Sequence, residues 1–211
     1  GSSRREIRTE PFSLLKKLLR RYAVKSAEGS PPFTGGAVGY FAYEAKNHLE
    51  RQRPSAVKGA GGWPEICLLF FDEGLIVDHE KKSLFHFRVA SGKNAEKTAR
   101  RRLESMEKKL LSGWKRRSRK KNKSSVEKGI IRSSLSRAEF MERVARIQRH
   151  IRKGDIFQAN LSQRLSFQVR RSAPDVYRVL KKLNPSPFFG MLNAGDFDLI
   201  SGSPERLVKL E

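Results

Sequence analysis

The chain has 211 residues, enough for one large domain or two small ones, and 37% of them are hydrophobic, which is compatible with a folded core. It carries 45 Lys and Arg residues against 22 Asp and Glu residues, and the resulting charge of +23 attracts polyanions. The single cysteine, Cys67, excludes an internal disulfide framework. The longest apolar runs, such as residues 66–71, are far too short to form a transmembrane helix. We therefore expect a cytoplasmic protein without membrane contact.

The beginning of the chain predicts a helix followed by a strand. Apolar residues recur at helical spacing over residues 11–22, with basic residues on the other side. A cluster of Pro and Gly residues then breaks regular structure, and the small and aromatic residues 37–43 predict a strand that tolerates close backbone approach. From there to Trp63 the chain is predicted to be mostly loop.

Three short strands are predicted next, over residues 66–71, 75–77 and 84–89. The polar residues between them are typical of tight turns, so we expect an antiparallel meander. A second helix is predicted over residues 95–111, where Ala, Leu and Met residues share one face.

A basic run without apolar periodicity follows the second helix. It cannot bury enough surface to offset its ordering entropy, which predicts a linker or an exposed loop. A binding module for RNA or DNA is the alternative interpretation, because such a run is also an electrostatic footprint. We expect a helix and meander region over 1–111, a linker over 112–128 and a second region over 129–211. The charged members of the run are Lys115, Arg116, Arg117, Arg119, Lys120, Lys121 and Lys123.

The second region opens with a well-marked helix. Ser136 and Glu139 have the spacing of a capping box, apolar residues recur at helical spacing up to Ile151, and Gly154 predicts the C-terminal end. Residues 156–169 then alternate between apolar and polar side chains, which predicts a long strand.

The polar side of that strand carries Gln158, Asn160 and Arg164. It is either the solvated face of an antiparallel sheet or the floor of a cleft. In a cleft, the amides would hydrogen-bond a polyoxygenated ligand, and Arg164 would meet a carboxylate.

A short helix over 174–183 and a hairpin of strands over 188–192 and 197–201 complete the predicted elements. Glu205 follows the hairpin between a proline and an arginine, where a carboxylate either belongs to a surface turn or is positioned as a general acid or base. The four His residues and Cys67 show no paired ligand spacing, so no metal site is predicted. The fold class expected from these elements is α+β, with antiparallel sheets flanked by helices.

Four segments, in order, resemble component I of aminodeoxychorismate synthase, in the chorismate-binding enzyme family. They are residues 32–44, 154–164, 184–188 and 201–206, and the likeness extends from about residue 11 to the end of the chain. Component I of anthranilate synthase, a close relative, shares most of them. The resemblance implies an incomplete part of the family's β-sandwich fold.

The resemblance also implies roles for individual residues. Glu205 matches the glutamate that acts as general acid or base when ammonia replaces the C4 hydroxyl of chorismate. Gln158 stands where water-using relatives carry a lysine, which favours ammonia, and Asn160 favours the aminodeoxychorismate branch, because anthranilate synthases usually have valine there. Pro187 and Phe188 match part of a tryptophan pocket.

The implied function is amination of chorismate to 4-amino-4-deoxychorismate for para-aminobenzoate and folate synthesis. A glutamine amidotransferase, component II, would supply the ammonia, and Mg²⁺ would be the cofactor. The magnesium ligands and a lysine segment of the family have no match in this chain, so we expect no activity from it alone. Completion by a separately encoded piece is a further possibility, and an anthranilate synthase fragment is the alternative within the family.

Overall fold

The computed structural model describes residues 6–24, 28–49, 62–90, 92–114 and 129–210. The chain divides into two compact units, of which the first comprises Gly1–Arg119 with Leu192–Leu199 and the second comprises Lys120–Met191 with Ile200–Glu211. The charged members of the predicted basic run, 115–123, lie outside the described residues. Its interpretation as a linker or as a nucleic-acid site therefore stays a prediction.

The first unit contains two helices, a short 3₁₀ helix and four strands. Glu10 caps the first helix, because its carboxylate accepts hydrogen bonds from the main-chain N–H groups of Phe12 and Ser13 at 2.9 and 2.6 Å. The helices and strands are α1 (Pro11–Arg21), β1 (Gly36–Phe41), the 3₁₀ helix (Tyr43–His48), β2 (Ile66–Phe71), β3 (Glu73–Asp78), β4 (Ser83–Arg88) and α2 (Ala95–Trp114).

The strands of this unit form two separate antiparallel pairs. β1 pairs with β2 in a register that sets Gly39 opposite Leu68. A Cβ atom at Gly39 would collide with the main-chain oxygen of Cys67, so the predicted close approach of the backbone is confirmed. β3 pairs with β4, from Glu73 opposite Arg88 to Asp78 opposite Ser83.

The predicted meander is wrong at its first turn. β2 and β3 belong to different sheets, since the strand orders are β1–β2 and β3–β4. Only Asp72 separates the end of β2 from the start of β3, and one residue is too short for a hairpin loop. The chain therefore leaves one sheet and enters the next at this point, and Glu73, predicted to lie in a turn, is the first residue of a strand.

The second unit has two helices joined to short strands. Its elements are β5 (Arg132–Ser133), α3 (Arg137–Lys153), β6 (Leu165–Ser166) and α4 (Ala173–Leu183), together with the ends of the hairpin strands β7 (Phe188–Asn193) and β8 (Asp198–Ser203). The capping box is confirmed, because the Ser136 hydroxyl accepts from Glu139 N at 3.2 Å and Glu139 Oε2 accepts from Ser136 N at 2.7 Å. Gly154 ends α3 in a left-handed conformation, with φ of +79°.

The long strand predicted over residues 156–169 is largely unpaired. Only Leu165 and Ser166 join a ladder, opposite Ser133 and Arg132. Alternation predicts which side chains share a face, but a strand also needs a neighbour to complete its hydrogen bonds, and β5 offers two residues. The prediction of a long strand over residues 156–169 is therefore wrong beyond Leu165 and Ser166.

Few side chains are buried in the described part of the protein. Ala45 is 4% exposed and Leu135 is 8% exposed, and they are the only buried residues there. Large apolar side chains such as Phe157 remain fully in solvent. The expected α+β class of helices with antiparallel strands is confirmed, and no helix of the described residues is long and apolar enough to cross a bilayer.

Candidate functional site

Two of the four segments meet at the open end of the β7–β8 hairpin, within the second unit. The Ser186 hydroxyl donates a hydrogen bond to the main-chain oxygen of Ser203, 17 residues later. The guanidinium of Arg206 lies 5.3 Å from the centre of the Phe188 ring, a cation–π contact. Pro187 is exposed in the turn before β7. The hairpin thus joins residues 184–188 to residues 203–206.

Glu205 lies in the turn that follows β8. The Ser203 hydroxyl donates to the main-chain oxygen of Glu205 at 3.0 Å and lies 3.5 Å from its main-chain nitrogen. The Glu205 side chain is exposed, and within the described residues its carboxylate has no hydrogen-bonding or ionic partner. The turn therefore holds the main chain of Glu205, while its carboxylate is exposed.

Gln158, Asn160 and Arg164 are exposed on the segment before β6. Arg164 is held through its main chain: its carbonyl accepts from Ser134 N at 2.8 Å, and its N–H donates to the Ser134 hydroxyl at 3.0 Å. Gln158 and Asn160 have no such anchor among the described residues. No hydrogen bond or ion pair in that part of the chain joins these three side chains to Glu205, so the structure does not assemble the whole predicted set.

Sequence reasoning missed the residues that hold the hairpin base in place. Tyr177 of α4 contacts Phe189 edge to face, with ring centres 5.1 Å apart. A Cβ atom at Gly202 would lie 3.0 Å from the Phe189 ring, so a side chain at this point of β8 would require the ring to shift by a few tenths of an ångström. The available signal was a glycine inside a strand, between Ser201 and Ser203, which marks close approach.

No cation site can be built from the described residues, because no three His, Cys, Asp or Glu side chains in them converge as metal ligands. Among the described residues, the side-chain donors therefore do not fit the Mg²⁺ implied by the resemblance.

A separate groove of about 280 Å³ lies in the first unit. Tyr22 and Phe70 line it, with their ring centres 5.0 Å apart, and Asp72 is its charged member. None of the predicted site residues takes part in its lining.

Known proteins are similar to this chain in sequence and in structure. Residues 2–211 match the family described as chorismate binding enzyme. The chain belongs to this family. It is 33% identical over 224 residues to anthranilate synthase component 1 of Acetivibrio thermocellus, covering 100% of this chain and 44% of the relative.

Two further relatives show how much of a family member this chain represents. Aminodeoxychorismate synthase component 1 of Bacillus subtilis is 31% identical over 178 residues, covering 84% of this chain and 37% of the relative. The crystal structure of anthranilate synthase component I from Streptococcus pneumoniae TIGR4 superimposes with a TM-score of 0.71 at 25% identity, covering 93% of this chain and 45% of that one. The chain therefore spans less than half the length of these relatives.

Proposed function

We propose that this chain forms one wall of the chorismate site in an enzyme that aminates chorismate. The main support for this proposal is the family match over residues 2–211, together with the hairpin that joins the segments around Pro187 and Glu205. The relatives named above are synthases of anthranilate or aminodeoxychorismate, and both kinds support amination as the reaction class.

Glu205 is proposed as the general acid or base. A hydroxyl leaves chorismate readily only when it is protonated, and incoming ammonia must lose a proton, so a positioned carboxylate is worth about 10²–10⁴ in rate. The exposed Glu205 carboxylate has no competing partner among the described residues, and the Ser203 hydroxyl holds its main chain. These two features suit a group that must meet substrate rather than a structural ion pair.

Gln158, Asn160 and Arg164 are proposed to bind the substrate. Amide groups can donate to and accept from the oxygens of chorismate, and a guanidinium can pair with one of its carboxylates through two parallel hydrogen bonds. The two main-chain hydrogen bonds between Arg164 and Ser134 fix the backbone from which the Arg164 side chain extends.

Within this reaction class, we propose the aminodeoxychorismate branch, on the basis of Asn160. The competing proposal is the anthranilate branch, favoured by the relatives from Acetivibrio thermocellus and Streptococcus pneumoniae. Pro187 and Phe188 would contribute to a tryptophan pocket in either branch. Mg²⁺, an amidotransferase that delivers ammonia and a cytoplasmic location are proposals for the complete enzyme.

The test is an activity assay on a completed enzyme. The chain is fused to the segment that follows the matched region in the Bacillus subtilis relative, and chorismate, ammonium and Mg²⁺ are added. We expect chorismate to be consumed and 4-amino-4-deoxychorismate to be the product detected by mass spectrometry. The chain without the fusion partner should show no turnover.

Variants then test the role of Glu205. Glu205→Gln should lower kcat by about 10²–10⁴. Glu142→Gln is the matched control, because it removes an exposed carboxylate of the same unit from α3. Anthranilate as product would move the chain to the other branch, and a fusion that consumes no chorismate would refute the proposal.

A further inference from the structure

The turn that carries Glu205 is attached on both sides to one short stretch of chain at the start of β7. Before the turn, the Ser186 hydroxyl donates a hydrogen bond to the main-chain oxygen of Ser203. After it, the guanidinium of Arg206 lies 5.3 Å from the centre of the Phe188 ring. The two partners on the β7 side are two positions apart, and Glu205 lies between the two attached residues on the other side.

The ring contact is the distinctive feature of the Arg206 side chain. Within the described residues, Phe188 is the only ionic, hydrogen-bonding or ring partner of the Arg206 guanidinium. Arg206 is exposed and Phe188 is 38% exposed. A guanidinium over the face of an aromatic ring is attracted by the negative charge of the π system. The contact therefore fixes a side chain that no carboxylate holds in the described part of the chain.

The peptide group between Glu205 and Arg206 is held from two directions. The Ser203 hydroxyl donates to its carbonyl oxygen at 3.0 Å, and the contact with Phe188 restrains the residue on its other side. A peptide group is planar, so fixing both of its ends limits the directions in which the Glu205 side chain leaves the backbone. A general acid or base must lie within hydrogen-bond reach of the proton that it transfers. This restraint therefore bears on the role proposed for Glu205.

We propose that Arg206 is a positioning residue for Glu205: by stacking on Phe188, it fixes the turn from which the Glu205 carboxylate reaches the substrate. Arg206 acts through the ring and does not itself touch the substrate. This inference rests on the general acid or base role proposed for Glu205. Its first test therefore measures the turn itself and needs no turnover.

Nuclear magnetic resonance of the chain measures the contact and the restraint. We expect the ring current of Phe188 to shift the δ-methylene protons of Arg206 upfield, and Phe188→Leu should remove this shift. The order parameter of the Glu205 amide should fall from about 0.85, the value of a rigid backbone, towards about 0.6 in both Arg206→Gln and Phe188→Leu. The matched control is Arg146→Gln, which removes an exposed arginine of the same unit from α3 and should leave the Glu205 amide unchanged. Far-UV circular dichroism of all three variants should match that of the parent chain.

Turnover by the fusion enzyme described above measures the consequence for catalysis. Arg206→Gln and Phe188→Leu should each lower kcat by about tenfold, because displacing a reacting group by about 1 Å can cost up to about 10²-fold in rate. The KM for chorismate should change by less than about twofold in Arg206→Gln, since the substrate does not contact this residue. The double variant should be within about twofold of the slower single variant, because both changes release the same contact. Arg146→Gln should keep the kcat of the parent fusion.

The outcomes separate this proposal from the function on which it rests. Losses in kcat that multiply in the double variant would show that Arg206 acts independently of Phe188, for instance on a substrate carboxylate, and would overturn the positioning role. A Glu205 amide that stays rigid in Arg206→Gln would overturn it as well, whether or not the fusion is active. A fusion that consumes no chorismate would refute the proposed function, and the amide measurement would then decide alone whether Arg206 holds the turn.

Discussion

Replacing Glu73 with Gln should destabilise the first unit, because this carboxylate joins the β3–β4 pair to α2. Glu73 is 13% exposed and accepts hydrogen bonds from His86 Nε2 at 3.2 Å, from Arg88 at 3.0 Å and from Arg102 Nε at 3.0 and 3.2 Å. Gln keeps the size of the side chain and removes its charge. The change therefore tests the electrostatic part of the cluster rather than its packing.

The magnitude follows from the two guanidinium partners. A hydrogen bond to a charged group stabilises by about 1 kcal/mol more than a neutral one, so two such partners would give about 2 kcal/mol. Arg102 is 49% exposed and its share is screened by water, which lowers the expected loss to about 1.5 kcal/mol. With a typical urea slope of about 2 kcal/mol/M, the unfolding midpoint should fall by about 0.7 M.

The control for Glu73→Gln is Glu96→Gln in the same unit. Glu96 pairs with Arg100 at 3.7 Å on the surface of α2, and their side chains are 90% and 74% exposed. Exposed pairs of this spacing are worth about 0.3–0.5 kcal/mol at most, so the midpoint should barely move. Urea titrations followed by circular dichroism at pH 7 measure both variants.

The stability difference between Glu73→Gln and the parent chain should shrink at low pH. Burial raises the pKa of Glu73, but hydrogen bonds from Arg102 and His86 and the charges of Arg102 and Arg88 outweigh it, so the pKa lies below its ordinary value of 4.5. A depressed pKa means that the charge stabilises the fold fully above pH 4.5 and loses this effect as the pH falls through the lowered value. Equal midpoints for the two variants, or a gap that persists after Glu73 is protonated, would refute the assigned role of the cluster.

Two glycine substitutions test the local geometry by the same urea titration. Gly154→Ala should lower the free energy of unfolding by about 1 kcal/mol, because a φ of +79° is disfavoured for alanine. The control, Gly113→Ala inside α2, should be neutral or stabilising. Equal effects of the two substitutions would argue against the left-handed cap. Gly202→Ala should lower the free energy of unfolding by about 1–3 kcal/mol through the contact with the Phe189 ring. The control, Gly190→Ala on the neighbouring strand, meets open space and should change stability by less than about 0.5 kcal/mol. An unchanged stability of Gly202→Ala would show that the Phe189 ring moves aside.

Features that depend on neighbouring residues could be predicted well. The capping box of Ser136 and Glu139 and the glycine end of α3 were predicted because their hydrogen bonds join residues a few positions apart. The hairpin was likewise predicted from its loop, with strands over residues 188–192 and 197–201, and the structure has it over Phe188–Asn193 and Asp198–Ser203. It brings the two segments of the candidate site to one end.

Features that depend on distant partners were not predicted. The contact of Glu73 with Arg102 joins residues 29 positions apart, and the bond of Ser186 to Ser203 depends on how the hairpin closes. Sequence alone also missed that β2 and β3 lie in different sheets, since a turn-like composition at Asp72 does not show which strand will pair.

The segment 156–169 shows most clearly what the sequence determines and what the tertiary structure decides. Its sequence alone determined the alternation that places Phe157 and Phe167 on one side and Gln158 and Asn160 on the other, because side chains of an extended chain point to opposite faces in turn. The tertiary structure alone decided that only Leu165 and Ser166 find a ladder partner within this chain. Periodicity is a property of one segment, whereas hydrogen-bond pairing and burial need a second one.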